Sequence, residues 1–191
     1  MRKPLSEREQ NVIESKLIES CQICWERYGY KKTNVSELAS MSGISTGAFY
    51  SFFSSKELLF ATTANAFTKN LYELMTAGKP KSPTKNDFAN GLKKCAELLF
   101  ENKWIFSLRE DAETFLRKLP EDYLEQDFQQ DLLDITSVVN LYELTTKVPM
   151  DEIVAVFHTL LMSIYLTEII GPPHKQALNL LIDSVVGNLF E

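Results

Sequence analysis

The chain has 191 residues, 45% of them hydrophobic, and its 20 Lys and Arg against 26 Asp and Glu give a net charge of −6. That length carries one domain, or a small domain joined to a larger one, and the acidic balance argues mildly against nucleic acid as a partner. With Gly 7, Pro 7 and Cys 3 the composition suits helices and not a disulfide framework, and no uncharged apolar run reaches the ~18–20 residues that a membrane span needs.

The first residues, Met1 to Glu9, are polar and lack the apolar core of a secretory signal, so the cytoplasm is the expected compartment. Residues 6–28 read as the first helix. Ser6 and Glu9 have capping-box spacing, and Ile13, Leu17, Cys21, Cys24 and Tyr28 recur on one helical face. Gly29 ends it. Arg2 and Lys3, ahead of it, can reach a phosphate backbone. Cys21 and Cys24 form a CxxC, but no second pair completes a zinc site. They read as two small buried residues, with a redox role left open.

Residues 33–57 hold three helix starts in quick succession. Asn34 with Glu37, and Ser54 with Glu57, have the spacing of capping boxes; Ser45 can cap a helix between them. Gly43 supplies the left-handed turn that glycine enters cheaply. Two short helices joined by such a turn predict a helix-turn-helix, with Val35, Leu38, Ala39, Ile44, Phe49 and Phe53 inside. The face left outside, Ser45, Thr46, Gly47, Ala48, Tyr50 and Ser51, is small and polar. That composition lets a helix N-terminus approach base edges and phosphates.

Tyr28-Gly29-Tyr30-Lys31-Lys32-Thr33, Leu38-Ala39, Gly43-Ile44-Ser45-Thr46-Gly47, Tyr50-Ser51-Phe52-Phe53 and Lys56-Glu57-Leu58-Leu59 together resemble the DNA-binding signature of TetR-family transcriptional regulators. The resemblance covers about the first third of the chain. It implies that Lys56 contacts a DNA phosphate, that a variable helical ligand-binding domain follows, and that the last two helices form a dimer interface. Phe52 departs from the family pattern, where tyrosine or histidine is usual, and so lacks a polar contact there. Charge is distributed accordingly: residues 1–56 carry +2 and residues 57–191 carry −8.

Beyond Lys56, apolar spacing predicts a long helix to about Ala77, then a linker at Gly78 to Thr84. Thr84 or Asn86 can cap a helix over 86–101. Helices over 103–118, 121–147, 151–170 and 173–190 follow, separated by Pro120, Pro149 and Gly171-Pro172-Pro173. Pro120 is placed as a first-turn proline. The last two helices are richly apolar and joined by a tight turn, so a hairpin pairing with its symmetry mate as a four-helix bundle is expected, against the alternative of a single-chain core.

The expected fold is all-α with about nine helices. Residues 1–55 form a three-helix DNA-binding domain containing the helix-turn-helix, and residues 56–191 form a larger ligand-binding and dimerisation domain. The expected function is a DNA-binding transcriptional regulator, in the family's usual mode a ligand-responsive repressor on a palindromic double-stranded operator. It would act as a homodimer through about residues 151–190. The alternative is a helical ligand- or protein-binding module without DNA binding. Thr33, Asn34 and Lys56 are the expected phosphate contacts, and Ser45, Thr46, Gly47, Ala48, Tyr50 and Ser51 the groove face. No Arg or Lys lies within 45–53, so the bidentate guanine contact is unavailable from this helix. Trp104, Phe115, Tyr123, Phe128, Tyr142, Phe157 and Tyr165 are candidates to line a small-molecule effector site, each also able to serve as ordinary core. No nucleophile–base set, phosphate loop or HExxH is present, so no enzyme, cofactor or metal is expected. His158 and His174 read as structural.

Overall fold

The computed structural model describes residues 5–102, 104 and 112–191. Among these residues the chain forms ten helices and no strand. Arg2, Lys3 and most of the helix expected over 103–118 lie outside the described residues. Contacts divide the chain into two compact units, Met1–Phe67 with Lys103–Leu119, and Thr68–Asn102 with Pro120–Glu191.

The first unit contains α1 (Glu7–Lys32), α2 (Val35–Met41), α3 (Thr46–Phe49), the first half of α4 (Lys56–Ala77) and α6 (Ala112–Leu116). α1 starts at the expected Ser6–Glu9 capping box, which satisfies backbone donors that the first turn leaves without partners. Gly29 does not end the helix as expected; it kinks it at φ 73° and ψ 173°, and a last turn continues to Lys32. The buried face runs through Leu17, Ser20, Cys21, Cys24 and Trp25 before the kink and includes Tyr30 after it. Tyr28, expected inside, is exposed, whereas Trp25 and Tyr30 are buried. Trp25 packs on Phe60 and Trp104 with ring centroids 4.8 and 4.9 Å apart, distances at which aromatic pairs add to simple area burial.

The cap of α4 also differs from the expectation. The N–H of Leu58 donates to Ser55 Oγ at 3.0 Å, so Ser55, not Ser54, closes the first turn. Glu57 turns inward instead of bonding back to the cap.

The second unit contains the rest of α4, α5 (Lys85–Glu101), α7 (Tyr123–Leu141), α8 (Met150–Ile164), α9 (Thr167–Ile170) and α10 (His174–Leu189). Thr84 caps α5 in a full capping box with Asp87. Phe88 on α5 centres the core, with Tyr142, Phe190 and Phe157 rings at 5.3, 5.4 and 6.0 Å. α5 and α10 are further joined by Lys93–Asp183 at 2.6 Å and Lys175–Glu97 at 3.2 Å.

Three boundaries differ from the sequence reading. Pro120 precedes α7 rather than opening it; its carbonyl accepts the Tyr123 N–H at 3.0 Å. α7 ends at Leu141 because Glu143 takes the left-handed conformation, φ 57°. The helix expected over 151–170 is broken at Tyr165 into α8 and α9. There the Thr167 hydroxyl bonds back to the Ile164 carbonyl and meets His174 Nδ1 at 3.0 Å. A side chain recruited by its own preceding turn competes with helix continuation.

Candidate nucleic-acid interface

The helix-turn-helix is built by local capping over a small apolar core. Asn34 Oδ1 accepts the Glu37 N–H at 2.9 Å and the Ser36 hydroxyl at 2.8 Å, fixing the start of α2. Gly43 stands at φ 75°, a conformation that costs a residue with a Cβ. Around it the N–H of Ile44 returns to the Ala39 carbonyl at 2.9 Å. Ser45 Oγ then caps α3 by accepting the Ala48 N–H at 3.2 Å. Phe49, fully buried, pins α3 from within.

Ser45, Thr46, Gly47, Tyr50 and Ser51 are exposed around α3, with Ala48 half-buried among them. Tyr50 is 56% exposed, and its ring meets the Phe49 ring edge-on at 5.3 Å. Its orientation is therefore set by a core residue. Asn34, also exposed, stands at the N-terminus of α2.

The other two expected phosphate contacts are placed differently. Thr33 is 2% exposed, and its hydroxyl donates to the Gly29 carbonyl at 2.8 Å. It serves as the cap of α1 rather than as a surface hydroxyl. Lys56 is half-buried, and its ammonium donates to the Tyr30 and Thr33 carbonyls at 2.9 and 3.0 Å. Those oxygens lie at the C-terminal end of α1, where a cation is favoured.

Sequence reasoning missed two buried polar clusters that hold this head together. Ser20 on α1 faces Ser42 at 3.2 Å, and Ser42 donates to the Leu38 carbonyl at 2.8 Å. Glu57 accepts the Tyr30 hydroxyl and lies 3.2 Å from Lys118 Nζ. Burial pushes the Glu57 carboxyl up, but the Tyr30 hydroxyl, a backbone N–H and Lys118 outweigh it and hold it below its ordinary value. Cys21 and Cys24 are buried as expected. Burial pushes the Cys21 thiol up to about 12, which suppresses the thiolate that redox chemistry needs.

The seven aromatic residues considered for an effector are divided between the units. Trp104 and Phe115 belong to the first, where Phe115 meets Tyr30 edge-on at 5.6 Å. Tyr142 and Phe157 are buried around Phe88 in the second. Phe128 is half-buried beside the His158 ring at 6.3 Å, and Tyr123 and Tyr165 are half-buried at the start of α7 and the end of α8.

Residues 23–63 match the model of the bacterial regulatory proteins of the tetR family. No curated protein matches the sequence. Among solved structures, a TetR-family transcriptional regulator from Haemophilus influenzae is 13% identical, with 97% of this chain and 100% of that one covered and a TM-score of 0.59. SmeT, the repressor of the Stenotrophomonas maltophilia multidrug efflux pump SmeDEF, is 14% identical over 93% of this chain and 90% of its own, with a TM-score of 0.61. A SmeT–triclosan complex is matched at 11% identity over 94% of this chain and 92% of that one, with a TM-score of 0.58. Residues 23–63 thus carry the tetR-family match, and the chain as a whole shares the fold of solved TetR-family regulators.

Proposed function

We propose that the protein is a ligand-responsive transcriptional repressor that binds a palindromic operator as a homodimer. The observation that carries this reading is the exposed Ser45, Thr46, Gly47, Tyr50 and Ser51 face of α3, presented by the Gly43 turn. Its small residues let the backbone approach base edges, and its hydroxyls serve both bases and phosphates. Asn34 and Ser45, exposed at the N-termini of α2 and α3, sit where free backbone donors favour phosphate oxygen. Specificity then rests on hydroxyl contacts, thymine methyls and DNA shape.

Residues 1–55 act as the DNA-binding domain and residues 56–191 as the ligand-binding and dimerisation domain. Two copies are needed, because a net charge of +2 over residues 1–56 is a modest field. The apolar side chains of Met162, Ile169, Leu180 and Leu181 are 57, 69, 71 and 50% exposed on α8 to α10. Their burial against a twin supplies the driving force for pairing, and a twofold pair presents its α3 helices about 34–36 Å apart or somewhat wider. An apolar or planar effector suits the half-buried aromatics of the second unit, and the SmeT–triclosan complex, a protein of similar fold with a small molecule, supports a small-molecule effector. An effector releases DNA by preferring the conformation in which α4 has shifted. Gel retention of duplex DNA from upstream of the protein's own gene tests the reading. A retained complex supports it, and no retention at low salt overturns it.

A further inference from the structure

Glu57 is a nearly buried carboxylate with no part in the groove face. Its side chain is 11% exposed, against 53% for its partner Lys118. The carboxylate accepts the Tyr30 hydroxyl, and Lys118 Nζ lies 3.2 Å from it and 3.3 Å from the Tyr30 hydroxyl oxygen. Lys118 reaches these partners across 61 and 88 residues of sequence. It follows α6, whose Phe115 packs edge-on against the same Tyr30 ring. Tyr30 is also the residue that Lys56 grips, through its carbonyl at 2.9 Å and its ring at 4.1 Å. Three residues beyond Tyr30 the chain caps α1 at Thr33, and α2 begins at Val35.

A carboxylate taken out of water needs its remaining lone pairs satisfied and its charge balanced. The Tyr30 hydroxyl supplies one donor and no charge; Lys118 supplies the charge. Without it the carboxylate must recover water or turn outward, and either response disturbs Tyr30, which sets the geometry of the α1 terminus. We propose that Lys118 is a positioning residue for DNA binding: it fixes Glu57 and Tyr30, and through them the angle at which α2 and α3 leave α1. The inference rests on the DNA reading for its consequence, but its structural part stands without DNA.

Hydrogen exchange of the free full-length protein tests that structural part. Lys118→Met raises exchange of the Val35–Phe53 amides about tenfold, while the amides of α5 exchange as in wild type. Glu57→Gln has the same effect, the double variant adds nothing to it, and Lys118→Arg restores protection. The DNA part is read on a duplex that the wild-type protein selects from a random-sequence pool. Lys118→Met weakens retention about five- to tenfold with an unchanged dependence on salt, because the lysine does not itself neutralise a phosphate. Unchanged exchange in Lys118→Met overturns the inference and leaves the DNA reading standing. A shallower salt dependence also overturns it, by making Lys118 a phosphate contact. If the wild type selects no duplex, the DNA reading fails, and the exchange data alone decide whether Lys118 positions the two helices.

Discussion

The ammonium of Lys56 lies 4.1 Å from the centroid of the Tyr30 ring and donates to the Tyr30 carbonyl at 2.9 Å. The first residue of α4 thereby closes the last turn of α1 by a cation–π contact and a charged hydrogen bond at once. Lys56→Met keeps the aliphatic stem and removes both. Bonds from charged donors contribute about 1.5–3 kcal/mol, so the variant melts several degrees lower. Its DNA affinity falls with an unchanged salt dependence; a slope reduced by about one counterion per lysine would instead show Lys56 on a phosphate.

The core of the second unit converges on Phe88, which touches Tyr142, Phe157 and Phe190. Phe88→Ala leaves a cavity among rings that cannot collapse into it, at about 3–5 kcal/mol. Tyr142→Phe removes only the hydroxyl that donates to the Met75 carbonyl at 2.9 Å, at about 1 kcal/mol. Denaturant melts measure both, and equal losses would contradict this packing.

His158 Nε2 sits 2.9 Å from Asp131 Oδ2, and Asp131 also accepts the Tyr72 hydroxyl at 3.2 Å. The Asp131 hydrogen bond raises the imidazole above its ordinary 6.5 against the opposing effect of burial, and the charges of Asp131 and Asp127 add to the rise. A folded-state pKa above the unfolded one stabilises fully below the unfolded value, and that contribution is lost as pH rises through the folded value. The wild type therefore outlasts His158→Gln at pH 6, and the gap closes as pH rises beyond 6.5 through the raised value. The imidazole side chain is 39% exposed, so solvent screening limits the gap to under about 1 kcal/mol. Thermal melts from pH 5.5 to 8.5 check it; a gap that widens with pH would refute the pairing.

Local chemistry was legible in the sequence, and long-range chemistry was not. Ser6, Asn34, Gly43, Ser45 and Thr84 act within four residues of themselves: Ser6 forms its full capping box, Gly43 and Ser45 stand as expected, Thr84 rather than Asn86 caps α5, and Asn34 forms one half of its box by accepting the Glu37 N–H. Glu57 had the same local spacing from Ser54, yet it turned inward because Tyr30 and Lys118, 27 and 61 residues away, offered a donor and a charge. Trp25 rather than Tyr28 enters the core because Phe60 and Trp104 receive its ring, and Tyr30 is buried beyond the Gly29 kink. The break between α8 and α9 depends on Thr167 meeting His174, a pairing that apolar periodicity does not register. For the groove face the exposure of α3 follows directly from its small polar residues, while the diversion of Thr33 and Lys56 to backbone carbonyls needed coordinates.

Dimerisation is open to a direct test. Leu180 and Ile169 are 71 and 69% exposed on the protomer, so charging them leaves each chain folded. Leu180→Glu with Ile169→Glu turns a two-chain mass at micromolar concentration into a one-chain mass, and operator affinity falls by at least about 100-fold as the two heads lose their linkage. Light scattering reads the mass. A one-chain mass for the wild type would contradict the proposal.

The face of α3 decides whether the protein reads DNA. Tyr50 is exposed and Thr46 stands at the helix start, so neither change unfolds the head. Gel retention on upstream duplex compares wild type, Tyr50→Ala and Thr46→Arg. Tyr50→Ala should lose on the order of tenfold in affinity, and Thr46→Arg, which holds the backbone off the groove, should lose more. Retention equal to wild type in both variants would contradict the assignment of α3 as the element that reads DNA.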